Sequence, residues 1–135
     1  MAAREPAHPI EKRDLLHAEA PNRSRVLGIS EKLAAEGRWP EAIDYIEVVP
    51  DAKLLARAEA EAVAKGSVWL LAQVERISGK KCDADQWLKV SASAAAGERW
   101  RDAVRALGMS GRTAEAEALR AEKCPDFDPF KPLGK

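Results

Sequence analysis

The side chains that most often carry chemistry are few in this chain and poorly placed to act together. His8 and His17 are the only histidines. His17 has Asp14 and Glu19 near it in sequence, but no cysteine and no second histidine at ligand spacing, so the pattern gives no metal site. Cys82 and Cys124 are far apart, each without a neighbouring thiol, which reads as two free thiols in a reducing compartment and not as a disulfide framework. Lys80 and Lys81 precede Cys82, and their charge favours a thiolate; the expectation is a mildly activated surface thiol at most. The carboxylate pairs Glu59/Glu61 and Glu115/Glu117 are two residues apart, so they fall on different helix faces and read as solvated charges. The glycines are scattered singly, and no phosphate-binding loop is built from them. These readings supply no catalytic residue, no metal and no cofactor. A non-catalytic protein is expected, and a small enzyme or regulatory ligand-binding domain has no constellation behind it.

Something must nevertheless position what the chain does carry, and the composition points to helices. The 135 residues suffice for one compact domain with its own core. Lys plus Arg and Asp plus Glu number 22 each, giving zero net charge, which argues against a nucleic-acid or anionic-membrane surface. The most basic stretch, with Arg99, Arg101, Arg105 and Arg112, is interleaved with Glu98 and Asp102. A hydrophobic share of 46% and a charged share of 33% fit neither a disordered nor a membrane-embedded chain. The longest nearly uncharged stretch, residues 66–74, is too short to span a bilayer. The opening Met-Ala-Ala-Arg-Glu-Pro lacks the apolar run of a signal peptide, so a cytoplasmic location is expected. Alanine contributes 26 residues, whereas aromatics make up only 5%. An all-α fold follows from that balance.

Punctuation divides the chain into three. Residues 1–21 read as an arm, with Pro6 and Pro9 hindering any helix before a short one over 11–20. Residues 22–123 read as a helical domain. Asn22 or Ser24 caps its first helix and Gly37 closes it; Pro40 suits the first turn of the next. Asp51, Ser67, Asp83 or Asp85, and Ser110 are the later caps, and Gly66, Gly79, Gly97 and Gly108 the later stops. Residues 124–135 form a proline-rich tail that cannot continue a helix. Seven to eight helices result.

Within the helical domain a pattern recurs. Gly37-Arg-Trp39, Gly66-Ser-Val-Trp69 and Gly97-Glu-Arg-Trp100 each precede an alanine three residues after the tryptophan: Ala42, Ala72 and Ala103. The tryptophans recur after 30 and 31 residues. Gly111-Arg-Thr113-Ala-Glu-Ala116 reads as a degenerate fourth copy. Physically this is a helical hairpin: glycine makes the turn, the aromatic fills the wedge where the helices diverge, and alanine lets them approach. The stretch from Gly37 to Ile46 and that from Gly97 to Leu107 resemble the turn and second helix of the tetratricopeptide repeat. The period here is shorter than that family's 34 residues, and the first-helix positions match poorly.

The resemblance implies a small α-solenoid of about three stacked hairpins that binds another protein or peptide through a groove formed by first helices. By that analogy the groove candidates are Ser24, Leu27, Glu31, Lys53, Ala56, Ala60, Asp85, Leu88 and Ala92. A second reading is a structural, self-assembling subunit. The acidic stripe Glu41, Asp44 and Glu47 complements the arginines of the late helices, which would permit a weak head-to-tail homo-oligomer. Phe127, Phe130 and Leu133, spaced three apart, read as a cap folded back on the last hairpin or as a segment offered to a partner.

Overall fold

A computed structural model describes residues 22–128. Among these residues seven helices follow one another and no strand occurs: α1 (Arg23–Ala35), α2 (Trp39–Val48), α3 (Ala52–Lys65), α4 (Val68–Ser78), α5 (Ala84–Ala96), α6 (Trp100–Met109) and α7 (Thr113–Lys123). The fold is all-α, as the composition implies. The helix expected at 11–20, together with His8, His17, Phe130 and Leu133, lies outside the described residues. No described helix is long and apolar enough to cross a membrane. The described chain forms two compact units, 22–58 and 59–128, divided within α3.

Short polar side chains start four of the helices by accepting an otherwise unpaired backbone N–H. Asn22 Oδ1 accepts from Arg25 at 3.0 Å, Asp51 Oδ2 from Leu54 at 3.1 Å and Ser67 Oγ from Leu70 at 3.2 Å. Asp83 and Gln86 close a reciprocal capping box, each side chain accepting the other's N–H at 3.0 Å. The remaining helices begin after Arg38, Arg99 and Arg112, whose side chains make no cap hydrogen bond.

Four of the interhelical links share one main-chain geometry. A residue in the left-handed region stands two places before the next helix: Gly37 (φ 74°), Gly66 (69°), Glu98 (58°) and Gly111 (86°). The residue after each donates its N–H to the carbonyl five places back. These bonds are Arg38 to Leu33, Ser67 to Ala62 and Arg99 to Ala94 at 2.9 Å, and Arg112 to Leu107 at 3.0 Å. That is the six-to-one closure of a Schellman motif. The carbonyl of the same residue then accepts the first bond of the new helix, from Ala42, Leu71, Ala103 and Ala116 respectively. All four of those side chains are buried.

This register differs from the tryptophan count at one copy. The first helical residues are Trp39, Val68, Trp100 and Thr113, so Trp69 comes one place late. One residue turns a helix by about 100°, which carries Trp69 off the packed face: it is 40% exposed, whereas Val68 is buried. Leu71, not Ala72, is accordingly the buried partner. In the third copy Glu98 takes the left-handed place, and Gly97 does not have a positive φ. Ser110 is no N-cap either. It ends α6, its hydroxyl donating to the Leu107 carbonyl at 2.7 Å, and Gly108 lies inside that helix.

In the first unit, α1 and α2 pack as a pair. Val26, Ile29 and Leu33 recur at three- and four-residue spacing on α1 and are fully buried, as are Ala42 and Ile46 on α2. Trp39 is buried at the start of α2. In the second unit α6 packs against α5, α7 and, less extensively, α4. Trp87, which belongs to no copy of the pattern, is only 2% exposed and is the largest fully buried side chain there. Ser91 Oγ, also buried, donates across to the Ala103 carbonyl at 2.9 Å, tying α5 to α6. Gly66 is the tightest point. A Cβ there would stand 2.8 Å from Ala94 Cα, and closer still to its amide nitrogen, so the α3–α4 link runs directly against the α5 backbone.

Candidate functional site

The second unit contains an apolar cleft of about 340 Å³ between α4, α5, α6 and α7. Val68 and Ala72 supply one wall from α4, Trp87 from α5, and Val104 and Met109 from α6; Ala116 closes it from α7. Small side chains keep it open. Ala72, Gly108 and Ala116 stand where larger residues would fill the space. Met109 is 52% exposed, so a flexible, polarisable side chain sits at the lip, where it adapts to what it covers. The rim carries Arg105 and Glu117. Arg120 Nε donates to Glu117 at 2.9 Å, and this hydrogen bond holds the Glu117 carboxyl below its ordinary range, so the rim keeps an anion beside a cation. The volume lies at the small end of ligand pockets. It has room for an aromatic or branched aliphatic side chain.

A second, wider cleft of about 600 Å³ lies at the start of α6, between Trp100 and the chain that leaves α7. Lys123 Nζ stands 4.9 Å over the Trp100 ring, which places the end of α7 beside the start of α6. Arg120 Nη1 donates to the Pro125 carbonyl at 2.7 Å, and the Phe127 N–H donates to the Cys124 carbonyl at 3.0 Å. Phe127 thereby lies beneath two guanidinium groups of α6, Arg101 at 5.6 Å and Arg105 at 5.1 Å. The tail thus folds back onto α6 as far as Phe127. Two of its partners there are cations stacked on a ring face. Arg99, Arg101 and Lys123 stand with Glu98, Asp102 and Asp126 around this cleft, three charges of each sign, which leaves no single-signed field to focus a charged ligand.

The Cys82 thiol is not activated. The Cys82 N–H donates to Glu75 Oε2 at 2.8 Å, which brings a carboxylate, not a lysine, to the residue. Partial burial and then the charges of Glu75, Glu59 and Asp83 push the Cys82 thiol up to about 11. The activation expected from Lys80 and Lys81 is therefore overturned: both lysines are exposed and neither contributes. Cys124 is half-buried on the wider cleft, and both thiols are free. Among the described residues, no three His, Cys, Asp or Glu side chains gather as a metal site.

The groove candidates are distributed on α1, α3 and α5. Leu27 and Leu88 are half-buried, while Ser24, Glu31, Lys53, Ala56, Ala60, Asp85 and Ala92 are exposed. None of the nine lines either cleft. The charged stripes are engaged locally: Arg38 pairs with Glu41, Arg112 pairs with Glu115 at 3.0 Å, and Arg101 and Arg105 stack on Phe127. Of the cleft's lining, Met109 escapes a reading of the sequence because Gly108 looks like a helix stop. The available signal is the pair itself, a glycine and a long apolar residue on one exposed helix end.

No family model, no curated protein and no solved structure matches this chain.

Proposed function

We propose that the chain is a non-catalytic protein–protein interaction module of helical-repeat type, with tetratricopeptide-like hairpins, that grips an apolar side chain of an extended partner segment. The apolar cleft carries this reading: walls of hydrocarbon and indole, a half-exposed Met109 at the lip, and Arg105 with Glu117 to orient a partner's main chain. In this reading the module works in the reducing cytoplasm, where Cys82 and Cys124 remain thiols. Burying one Phe or Leu side chain contributes about 1.5–3 kcal/mol, so a single anchor gives weak binding. A useful partner must add main-chain contacts along α6 and α7.

The test is a matched pair of full-chain variants used to retain partners from the native host. Met109→Asp charges the lip of the cleft, and Ala56→Asp charges the exposed face of α3. Both positions are exposed, so both variants keep the fold. Loss of a partner with Met109→Asp and its retention with Ala56→Asp is the expected result. The reverse pattern overturns the cleft in favour of the first-helix groove.

A further inference from the structure

The two charged residues that line the apolar cleft, Arg105 and Glu117, are both tied to the chain that leaves α7. Phe127 lies 5.1 Å beneath the Arg105 guanidinium, and Arg101, one turn earlier on α6, stands over the same ring at 5.6 Å. Arg120 makes the second tie. Its Nε and Nη2 donate to the two carboxylate oxygens of Glu117, and its Nη1 donates to the Pro125 carbonyl at 2.7 Å.

A guanidinium is planar, and its N–H groups form a rigid fork. With two prongs fixed on Glu117, the direction of the third is set, and it meets the main chain between Cys124 and Phe127. Arg120 is also the more buried member of the pair, its side chain 23% exposed against 63% for Glu117, so it is the constrained partner. The bond from the Phe127 N–H to the Cys124 carbonyl closes the turn that returns the ring to α6. One short segment therefore holds a cation on the α6 side of the cleft and, through Arg120, an anion on the α7 side.

We propose that residues Cys124 to Phe127 are a strap that positions the charged rim of the apolar cleft, with Phe127 and Arg120 as positioning residues, so that a docked strap and a gripped partner segment reinforce each other. This rests on the cleft being the binding site, and it adds the element that prepares it. A rim already held in place loses less conformational freedom when a partner's main chain arrives. The coupling runs both ways, because a partner that favours the ordered rim favours the docked strap to the same degree. Couplings of this kind change affinity roughly 5–150-fold.

Only two phenylalanines occur in the chain, Phe127 and Phe130. Fluorophenylalanine thus gives a two-line fluorine spectrum of the full-length protein, and Phe127→Tyr identifies the Phe127 line by removing it. The expected result is a Phe127 line that moves towards its denatured-chain position in Glu117→Ala, which deletes the acceptors orienting Arg120. The line should stay in place in Glu115→Ala, which removes the same charge from α7 at a residue paired with Arg112. Helicity checks that each variant is folded. A Phe127 line unmoved by Glu117→Ala, or moved equally by both variants, overturns the strap. Partner retention tests the consequence: a partner released by Met109→Asp should also be released by Phe127→Ala and kept by Phe127→Tyr, whose ring preserves the stack. Its retention by Phe127→Ala overturns the reinforcement. Failure of the cleft as a partner site shows instead as partners indifferent to Met109→Asp, and the fluorine spectrum then decides the strap by itself.

Discussion

Gly66 and Gly111 occupy the same place in two links of the same geometry, so exchanging each for alanine separates backbone conformation from packing. At Gly111, φ is 86° and nothing lies within 4 Å of the place an added methyl group would take. Only the left-handed conformation penalises the substitution. That penalty is about 1–2 kcal/mol for an L-residue, and the reduced freedom of the unfolded chain returns about 0.4–1 kcal/mol. The net loss is about 1 kcal/mol. At Gly66, φ is 69° and the methyl group meets the α5 backbone 2.8 Å from Ala94 Cα, with Arg99 Nη2 at 2.9 Å. The arginine can swing away, but the backbone must retreat by about 1 Å to reach the ordinary contact distance of about 3.5–4.0 Å. Overpacking of that kind costs about 1–3 kcal/mol, bringing Gly66→Ala to roughly 2–4 kcal/mol in all. With about 3–5 °C per kcal/mol for a chain of this size, Gly66→Ala should melt roughly 3–15 °C below Gly111→Ala. Far-ultraviolet circular dichroism on heating is the assay. Two variants that melt together would refute the close approach of the α3–α4 link to α5.

The third link holds Glu98 at φ 58°, so Glu98→Gly should stabilise the protein by about 0.5–1 kcal/mol once the unfolded-state entropy is subtracted; a melting temperature that stays level or falls would count against backbone strain there. Cys82 should resist alkylation at neutral pH, its rate climbing until pH about 11 where an ordinary thiol levels off near 9.0. The folded state holds that proton longer than the unfolded state, so Cys82 makes stability fall as pH rises from 9 towards 11. Denaturant midpoints compared with Cys82→Ser measure this, and identical pH slopes would contradict it.

How far the chain can be read follows from where each signal resides. Helix starts are legible at Asn22, Asp51, Ser67 and Asp83, because a cap is a local bond between a short polar side chain and a nearby N–H. Local signals also mislead. Ser110 looks like a cap but returns its hydroxyl to Leu107, and Gly97 looks like the turn residue although Glu98 takes the left-handed place. There the six-to-one bond from Arg99 to Ala94 decides, and it does not depend on side-chain type. The even spacing of Trp39, Trp69 and Trp100 marks three helix starts but sets the middle one off by a residue, since buried Val68 is the first helical residue there. The cleft is not legible at all. Its lining comes from four helices, and no segment of sequence brings Val68, Trp87, Val104 and Ala116 together.

The four shared links have a consequence for how this chain tolerates change. Their closing bonds run between main-chain atoms, from Arg38, Ser67, Arg99 and Arg112 back to the preceding helix, and a main-chain bond is indifferent to which side chain hangs from it. Arginine, serine and even glutamate already stand at equivalent places. The number of residues between the left-handed position and the new helix, by contrast, never varies. Substitution of the closing residues Arg38, Ser67, Arg99 and Arg112 therefore leaves the link standing, whereas a single inserted or deleted residue rotates the whole following helix by about 100° and exchanges its buried face for a solvated one. Variation among related chains, where it touches these links, should be in letters and not in length.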